Sequence, residues 1–330
     1  MKFSIFSVLD HHPDLARTVP ELYEQVAQCC ELAERLGFYG FFVAEHHFHQ
    51  YGAVPEPAVF LTALALRTRR IRLGPAICVL PFHHPLTAAE RYAMLDVLSH
   101  GRLELGVGSG YLKHEFDGFR VPVEEKRGRF DENLALFKRA LAGETISHQG
   151  AYHRVDNVRL NVLPLQRPTP PIHVAVLRKE AAYHVGRQGN HIVSVPYATV
   201  DHLDEVAALV GDFQRGWAEG GHPGSGESLF CFHAHVAETD ATARAEASAA
   251  FDRYVESRLF AKRQTYDDVL ASGLGLFGAP DTVAAKVERL RVMGINHVML
   301  LTDFGALPAE RVQASLVRFA EQVAPRFSRP

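Results

Sequence analysis

Apolar and polar positions repeat one unit along the chain. An amphipathic helical stretch ends, a glycine follows, and a short run of β-branched or aromatic residues begins. AERLGFYGFFVAE, DVLSHGRLELGVG, VGRQGNHIVSVPY and RVMGINHVMLLTD all read this way. Gly37, Gly101, Gly189 and Gly294 stand where a helix end takes a left-handed residue, which glycine alone adopts without a Cβ penalty. Runs such as FFVA and HVMLL are apolar at every position, the pattern of strands buried on both faces. Between them the helical period is clear. Leu22, Val26, Cys29, Ala33 and Leu36 step by four and three after a Thr18-x-x-Glu21 capping box. Phe130, Leu134, Phe137 and Leu141 repeat the period, as do Val312, Leu316, Phe319 and Val323 before Pro325 stops the helix.

Eight strands are predicted, over 3–9, 40–45, 71–78, 102–108, 172–177, 191–196, 229–236 and 296–302, each followed by a helix. Eight β/α units predict an α/β fold of the (β/α)8 TIM-barrel type, with residues 1–330 forming a single domain. A doubly wound open sheet is the structural alternative, but it would not need eight units. Long segments interrupt the cycle after strands four and seven. Residues 143–171 alternate like a hairpin and end in a proline-rich connector. Residues 257–280 are glycine-rich toward their end and lack a period, so a mobile lid is expected there.

Composition narrows the class of function. The net charge is −3 with Lys and Arg scattered, which argues against a nucleic-acid or acidic-membrane surface. No apolar run approaches the roughly 20 residues of a membrane span, and the first residues carry no secretory pattern. Cys29, Cys30, Cys78 and Cys231 show neither metal nor disulfide spacing, so a reducing, cytoplasmic setting is expected.

Paired histidines follow the first three strands, in LDHHP, AEHHF and LPFHHP. In a TIM barrel these are the C-terminal strand ends, where the chemistry sits. Two readings compete. His47 and His49, with His191 and Asp303, could hold a metal ion as in a hydrolase barrel, although His191 opens its strand rather than closing it. The other reading is a catalytic histidine beside an organic cofactor. Gly106, Gly108 and Gly110 alternate at a strand end and would let a flat ligand approach the backbone. Leu177, Arg178 and Lys179 open a helix, where free N–H groups and two cations suit a phosphate.

The segments GFYGFFVAEHHF, RIRLGPAICVLPFHHPLTAAERYAMLDVLSHGRLELGVGSGY, FDGFRVPVEEKRGRFDENLALFKRAL and GINHVMLLTDFGALP resemble the bacterial luciferase-like, flavin-dependent monooxygenases over about residues 1–325. The resemblance implies a barrel that binds reduced FMN, supplied by a separate flavin reductase, and activates O2. F420 is the alternative cofactor, and a homodimer is the expected assembly. By position, His46 matches the family's active-site histidine, with Glu45 supporting it. Pro75–Ala76 matches a frequent cis peptide against the flavin ring, which makes Ala76 a cofactor contact. Ser109, Gly110 and Tyr111 match a cofactor-contacting segment, and Leu177, Arg178 and Lys179 match the phosphate turn.

The chain also departs from the luciferase α-type subunit, with Gly108 for a reactive cysteine and Ser109 for an arginine, so light emission is not expected. Retention of Glu45-His46 and Arg178-Lys179 favours a catalytic chain over a non-catalytic homologue. His46 is the expected acid/base. His47 is expected to face the other way in a structural role. Phe48, Phe82, Phe116, Tyr197 and Phe304 are the expected walls of a pocket for a hydrophobic carbonyl substrate.

Overall fold

The computed structural model describes residues 1–177, 179–258 and 263–327, with only the backbone of Lys179. Its strands are β1 (Lys2–Ser7), β2 (Gly40–Val43), β3 (Arg72–Pro75), β4 (Cys78–Val79), β5 (Leu105–Gly108), β6 (Ile146–Gln149), β7 (Arg154–Val158), β8 (Ile172–Ala175), β9 (His191–Ser194), β10 (Ser228–Val236), β11 (Gly275–Gly278) and β12 (His297–Leu301). Every pairing in the main sheet is parallel, in the order β3-β2-β1-β12-β10-β9-β8-β5-β4. β3 and β4 are two pieces of one barrel strand. A bridge from Leu73 to Leu103 and the β4–β5 pair bring the two ends of the sheet together. Gly74 makes the seam possible, since a Cβ there would stand 2.0 Å from the Glu104 carbonyl oxygen. The result is the predicted TIM barrel, nearly closed, with helices between successive strands.

The punctuation read from the sequence holds locally. Gly37, Gly101, Gly189 and Gly294 all have positive φ, and Thr18 and Glu21 form the capping box of the helix Val19–Arg35. β2, β5 and β12 are buried at every position. The insertion after the fourth barrel strand is the antiparallel hairpin β6–β7.

The second insertion differs from expectation. Its described part folds into a helix, Tyr266–Ala271, capped by Thr265 and Asp268, and then into β11, a fully buried strand paired with β10. Leu274, Leu276 and Phe277 are core residues, so this half is tied into the barrel wall and is not a lid. The glycines that suggested looseness are needed for packing. A Cβ on Gly275 would meet the Phe277 and Val269 side chains at 2.8 and 2.9 Å. Residues 259–262 lie outside the described residues.

The N-terminal end of the barrel is closed by a polar network. Glu104 accepts from Tyr39, Arg72 and His173, while Glu227 pairs with Lys2 and His297. His297 also meets Ser4 at 2.6 Å. His173 and His191 belong to this floor, and His191 Nδ1 accepts from the Glu227 amide.

Candidate active site

A cavity enclosing about 830 Å³ of empty space, its open mouth included, lies at the C-terminal end of the barrel. Its walls are residues at and just beyond the strand ends: Phe6 in β1 and Val8 after it, Ala44 to His46 after β2, Ala76 and Ile77 between β3 and β4, Ser109 to Tyr111 after β5, Ala175 closing β8 and Leu177 after it, and Val195 and Tyr197 after β9. Apolar surface dominates, and the polar groups are few and grouped.

His46 is one of them. It is buried, and its Nδ1 lies 3.1 Å from Oε1 of Glu115, which also accepts from the His47 backbone N–H at 2.9 Å. Glu115 comes from the helix Lys113–Phe119 and is itself buried. A carboxylate on Nδ1 keeps a proton there and leaves Nε2 as the nitrogen available to a ligand. Gly52 packs against the other side of the ring, where a Cβ would come within 2.8 Å of the His46 Cβ.

Glu45 does not support His46 as expected. Successive residues leave a strand end in opposite directions, and Glu45 turns to His47 (3.1 Å), His83 (2.9 Å) and the Val79 amide (3.1 Å). Burial pushes this carboxyl up, but the bonds from His47 and His83 outweigh it and hold the pKa down to about 2. The same pairing raises His83 against its own burial. Glu45 also lines the cavity, beside His46. Of the six paired histidines only His46 lines it. His12 is tied to Asp10, His47 and His83 to Glu45, while His11 meets the Arg17 carbonyl and the His84 ring packs on His153.

Among the expected cofactor contacts, Ala76, Ser109, Gly110, Tyr111 and Leu177 converge on this one cavity. Arg178 and the Lys179 side chain lie outside the described residues. The cis peptide is one residue later than expected, at Ala76–Ile77 instead of Pro75–Ala76. The alternate glycines also serve a different neighbour. A Cβ on Gly106 would meet the Pro75 carbonyl oxygen at 2.4 Å, and one on Gly108 would meet Ile77 Cδ1 at 2.1 Å. They make room for the adjoining strand, and only Gly110 faces the cavity.

Four of the five aromatic residues expected as pocket walls stand elsewhere. Phe48 is exposed, and with Phe82, Phe116 and Phe119 it builds a ring cluster that clamps the helix bearing Glu115. Phe304 packs with Phe251, Phe277 and His233. Tyr197 alone lines the cavity. Spacing along a chain cannot tell a wall from the packing behind it. The metal set does not assemble either. His47 is on Glu45, His49 accepts from the Tyr51 amide, Asp303 accepts from Ser7, and His191 is at the opposite end.

Residues 1–297 match the model of the luciferase-like monooxygenases. The chain belongs to that family. It is an enzyme, an oxidoreductase of the luciferase-like monooxygenase type. Among relatives of this luciferase-like chain is the oxygenase component of a flavin-dependent trigonelline monooxygenase from Acinetobacter baylyi. The two are 26% identical, over 99% of this chain and 96% of the relative. Limonene 1,2-monooxygenase of Rhodococcus erythropolis is 28% identical over 92% of this chain and 81% of its own. Among solved structures, the monooxygenase RslO1 of Streptomyces bottropensis superposes with a TM-score of 0.93 at 31% identity, covering 99% of this chain and 100% of that one. Two more distant structures share the fold, both at 19% identity. The oxygenating constituent of 3,6-diketocamphane monooxygenase from Pseudomonas putida, in complex with FMN, has a TM-score of 0.85 and covers 100% of this chain and 99% of its own. The coenzyme F420-dependent tetrahydromethanopterin reductase of Methanopyrus kandleri has a TM-score of 0.76 and covers 99% of each.

Proposed function

We propose that this luciferase-like chain is the oxygenase of a two-component system, taking reduced FMN from a separate reductase and using O2 to oxidise a small organic substrate of carbonyl type. The observation that carries this reading is the cavity itself. It sits at the catalytic end of the barrel, its lining is mostly apolar, and the His46–Glu115 pair stands on its wall. The residues present fit a flavin. The wall is apolar, the backbone between β3 and β4 borders it, and the helix Lys179–Arg187 begins two residues beyond the lining residue Leu177, so its first N–H groups suit a phosphate. Arg178 and Lys179 are proposed to add charge at that turn. Reduced flavin would supply the electrons and the oxygen-activating chemistry.

The protein's own part is to orient, to exclude water and to move a proton. Phe6, Val8 and Val193 give an apolar wall that excludes water and suits the hydrophobic part of a substrate. His46 holds or delivers a proton at Nε2 while Glu115 fixes the ring through Nδ1. Glu45 orders the turn around His46 by holding His47, His83 and the Val79 amide together. It acts as a positioning residue.

Residues 1–330 are proposed to work as one domain, in the cytoplasm, where four buried free thiols are at home. No helix among the described residues is long and apolar enough to cross a membrane. A second copy of the chain is the proposed partner. Val59 and Leu66 on the helix Pro57–Arg67, and Met94 and Leu98 on its packed neighbour Pro85–Leu98, are exposed apolar residues on adjacent helices.

The test is titration of the purified protein with reduced FMN and with reduced F420, followed by rapid mixing with oxygen. Tight binding of reduced FMN and protein-dependent O2 consumption are expected. Binding of F420 alone would move the protein to the deazaflavin branch, and a stoichiometric divalent metal with no flavin binding would end the reading.

A further inference from the structure

Arg258 is the C-cap of the helix Asp240–Ser257, and the residue is 8% exposed. Its Nε, Nη1 and Nη2 find no hydrogen-bond partner among the described residues. A buried guanidinium is normally paired with a carboxylate, since desolvation of an uncompensated charge is costly. The carboxylates of the cavity cannot serve, because Glu45 and Glu115 are both committed to histidines. What surrounds Arg258 is aromatic. Its Cζ lies 5.0 Å from the ring centroid of Tyr197 and 5.3 Å from that of Tyr254.

These rings belong to a tyrosine cluster at one end of the cavity. Tyr51, Tyr111 and Tyr197 line it. The hydroxyl of Tyr254 lies 3.0 Å from that of Tyr51 and 3.4 Å from that of Tyr197. His46 is the next group, its ring 4.7 Å from Tyr51 and 6.4 Å from Tyr111. Burial raises all four phenols well above their ordinary range, so they remain neutral O–H donors. His233, buried against Tyr197 and Tyr254, is held neutral by burial and by Arg258. Among the described residues Arg258 is therefore the one guanidinium or ammonium set against these rings. A set of neutral donors backed by one uncompensated positive charge is the arrangement that recognises an oxyanion.

We propose that the tyrosine end of the cavity, backed by Arg258, is a receptor for an anionic oxygen, and that the substrate oxidised here carries one: a carboxylate, or the ionised hydroxyl of an enol or phenol. The inference rests on the functional reading above and narrows its substrate class. A cofactor phosphate has the same chemistry as a ligand, so the experiment separates the two sources.

The protein loaded with oxidised FMN is titrated with benzoate and with methyl benzoate, an anion and its neutral ester of similar size. Wild type, Arg258→Met and Arg258→Lys are compared. Binding of FMN and of riboflavin is measured in parallel on each. Wild type should prefer benzoate by about tenfold or more. Arg258→Lys should keep a preference, and Arg258→Met should bring the two affinities to within about twofold of each other. The ratio of FMN to riboflavin affinity should be the same in all three. Three results overturn the proposal: no preference in wild type, a preference that survives Arg258→Met, or an FMN-to-riboflavin ratio that collapses in that variant. The last would assign the guanidinium to the cofactor's phosphate. Failure of every flavin to bind would instead remove the functional reading, and this inference with it.

Discussion

At the scale of single residues, the separation of Glu45 from Glu115 governs the site. Both carboxylates are buried beside consecutive histidines, yet they serve different partners. Glu45 holds the loop together through His47, His83 and the Val79 amide, and Glu115 alone reaches His46. Glu115→Gln keeps the shape and the contact with the His47 amide while removing the charge on Nδ1. The expected outcome is a kcat lower by about ten- to a hundredfold with KM for the substrate within about twofold of wild type. Steady-state kinetics on the variant checks this, and a change in KM alone would make Glu115 a binding residue. Nothing in the spacing of LKHEF marked Glu115, since it meets His46 only after the helix Lys113–Phe119 folds over the barrel mouth.

At the scale of elements, the barrel floor is a linkage between strand ends. Glu104, just before β5, and Glu227, just before β10, anchor Arg72, His173, Lys2 and His297 from four other strands. Burial pushes the Glu104 carboxyl up, but His173 and Arg72 hold it down to about 2. Burial lowers His191 in the same network to about 4. Both effects have the same sign. The unfolded chain binds a proton at His191 below about pH 6.5 and at Glu104 below about 4.5, whereas the folded chain resists both. Stability is therefore fully present above about pH 6.5 and is lost progressively from there to about pH 2. Thermal melts across this range should show a falling Tm at acid pH, less steeply in Glu104→Gln. A flat profile in wild type would remove the floor from the account of stability.

At the scale of the whole molecule, the same exposed helices that cover the barrel offer an apolar face. Paired substitutions Leu66→Lys and Met94→Lys lie outside the cavity and should shift the proposed dimer to monomer in sedimentation without unfolding the protein. A wild-type monomer at micromolar concentration would dismiss the second copy as partner. Much of the architecture was readable in advance, because each β/α unit announces itself through local rules. The eight barrel strands and the left-handed glycines are set by neighbours within a few residues. So is the first insertion as a hairpin. β11 escaped notice because a four-residue strand with two glycines has no period of its own. Its place is granted by β10, which extends far enough to pair with it.

The site divides in the same way. Local sequence determined that His46 would stand at a strand end and that Leu177 would leave one, and the family resemblance added Ala76, Ser109, Gly110 and Tyr111 at the same barrel mouth. Only the tertiary structure decided which carboxylate meets which histidine, and which phenylalanines clamp a helix instead of lining the cavity. It also left the guanidinium of Arg258 buried behind tyrosines from four separate segments. Those outcomes depend on distances between residues far apart in the chain. Such distances arise only when the cylinder closes, since closure brings the eight strand ends around one space.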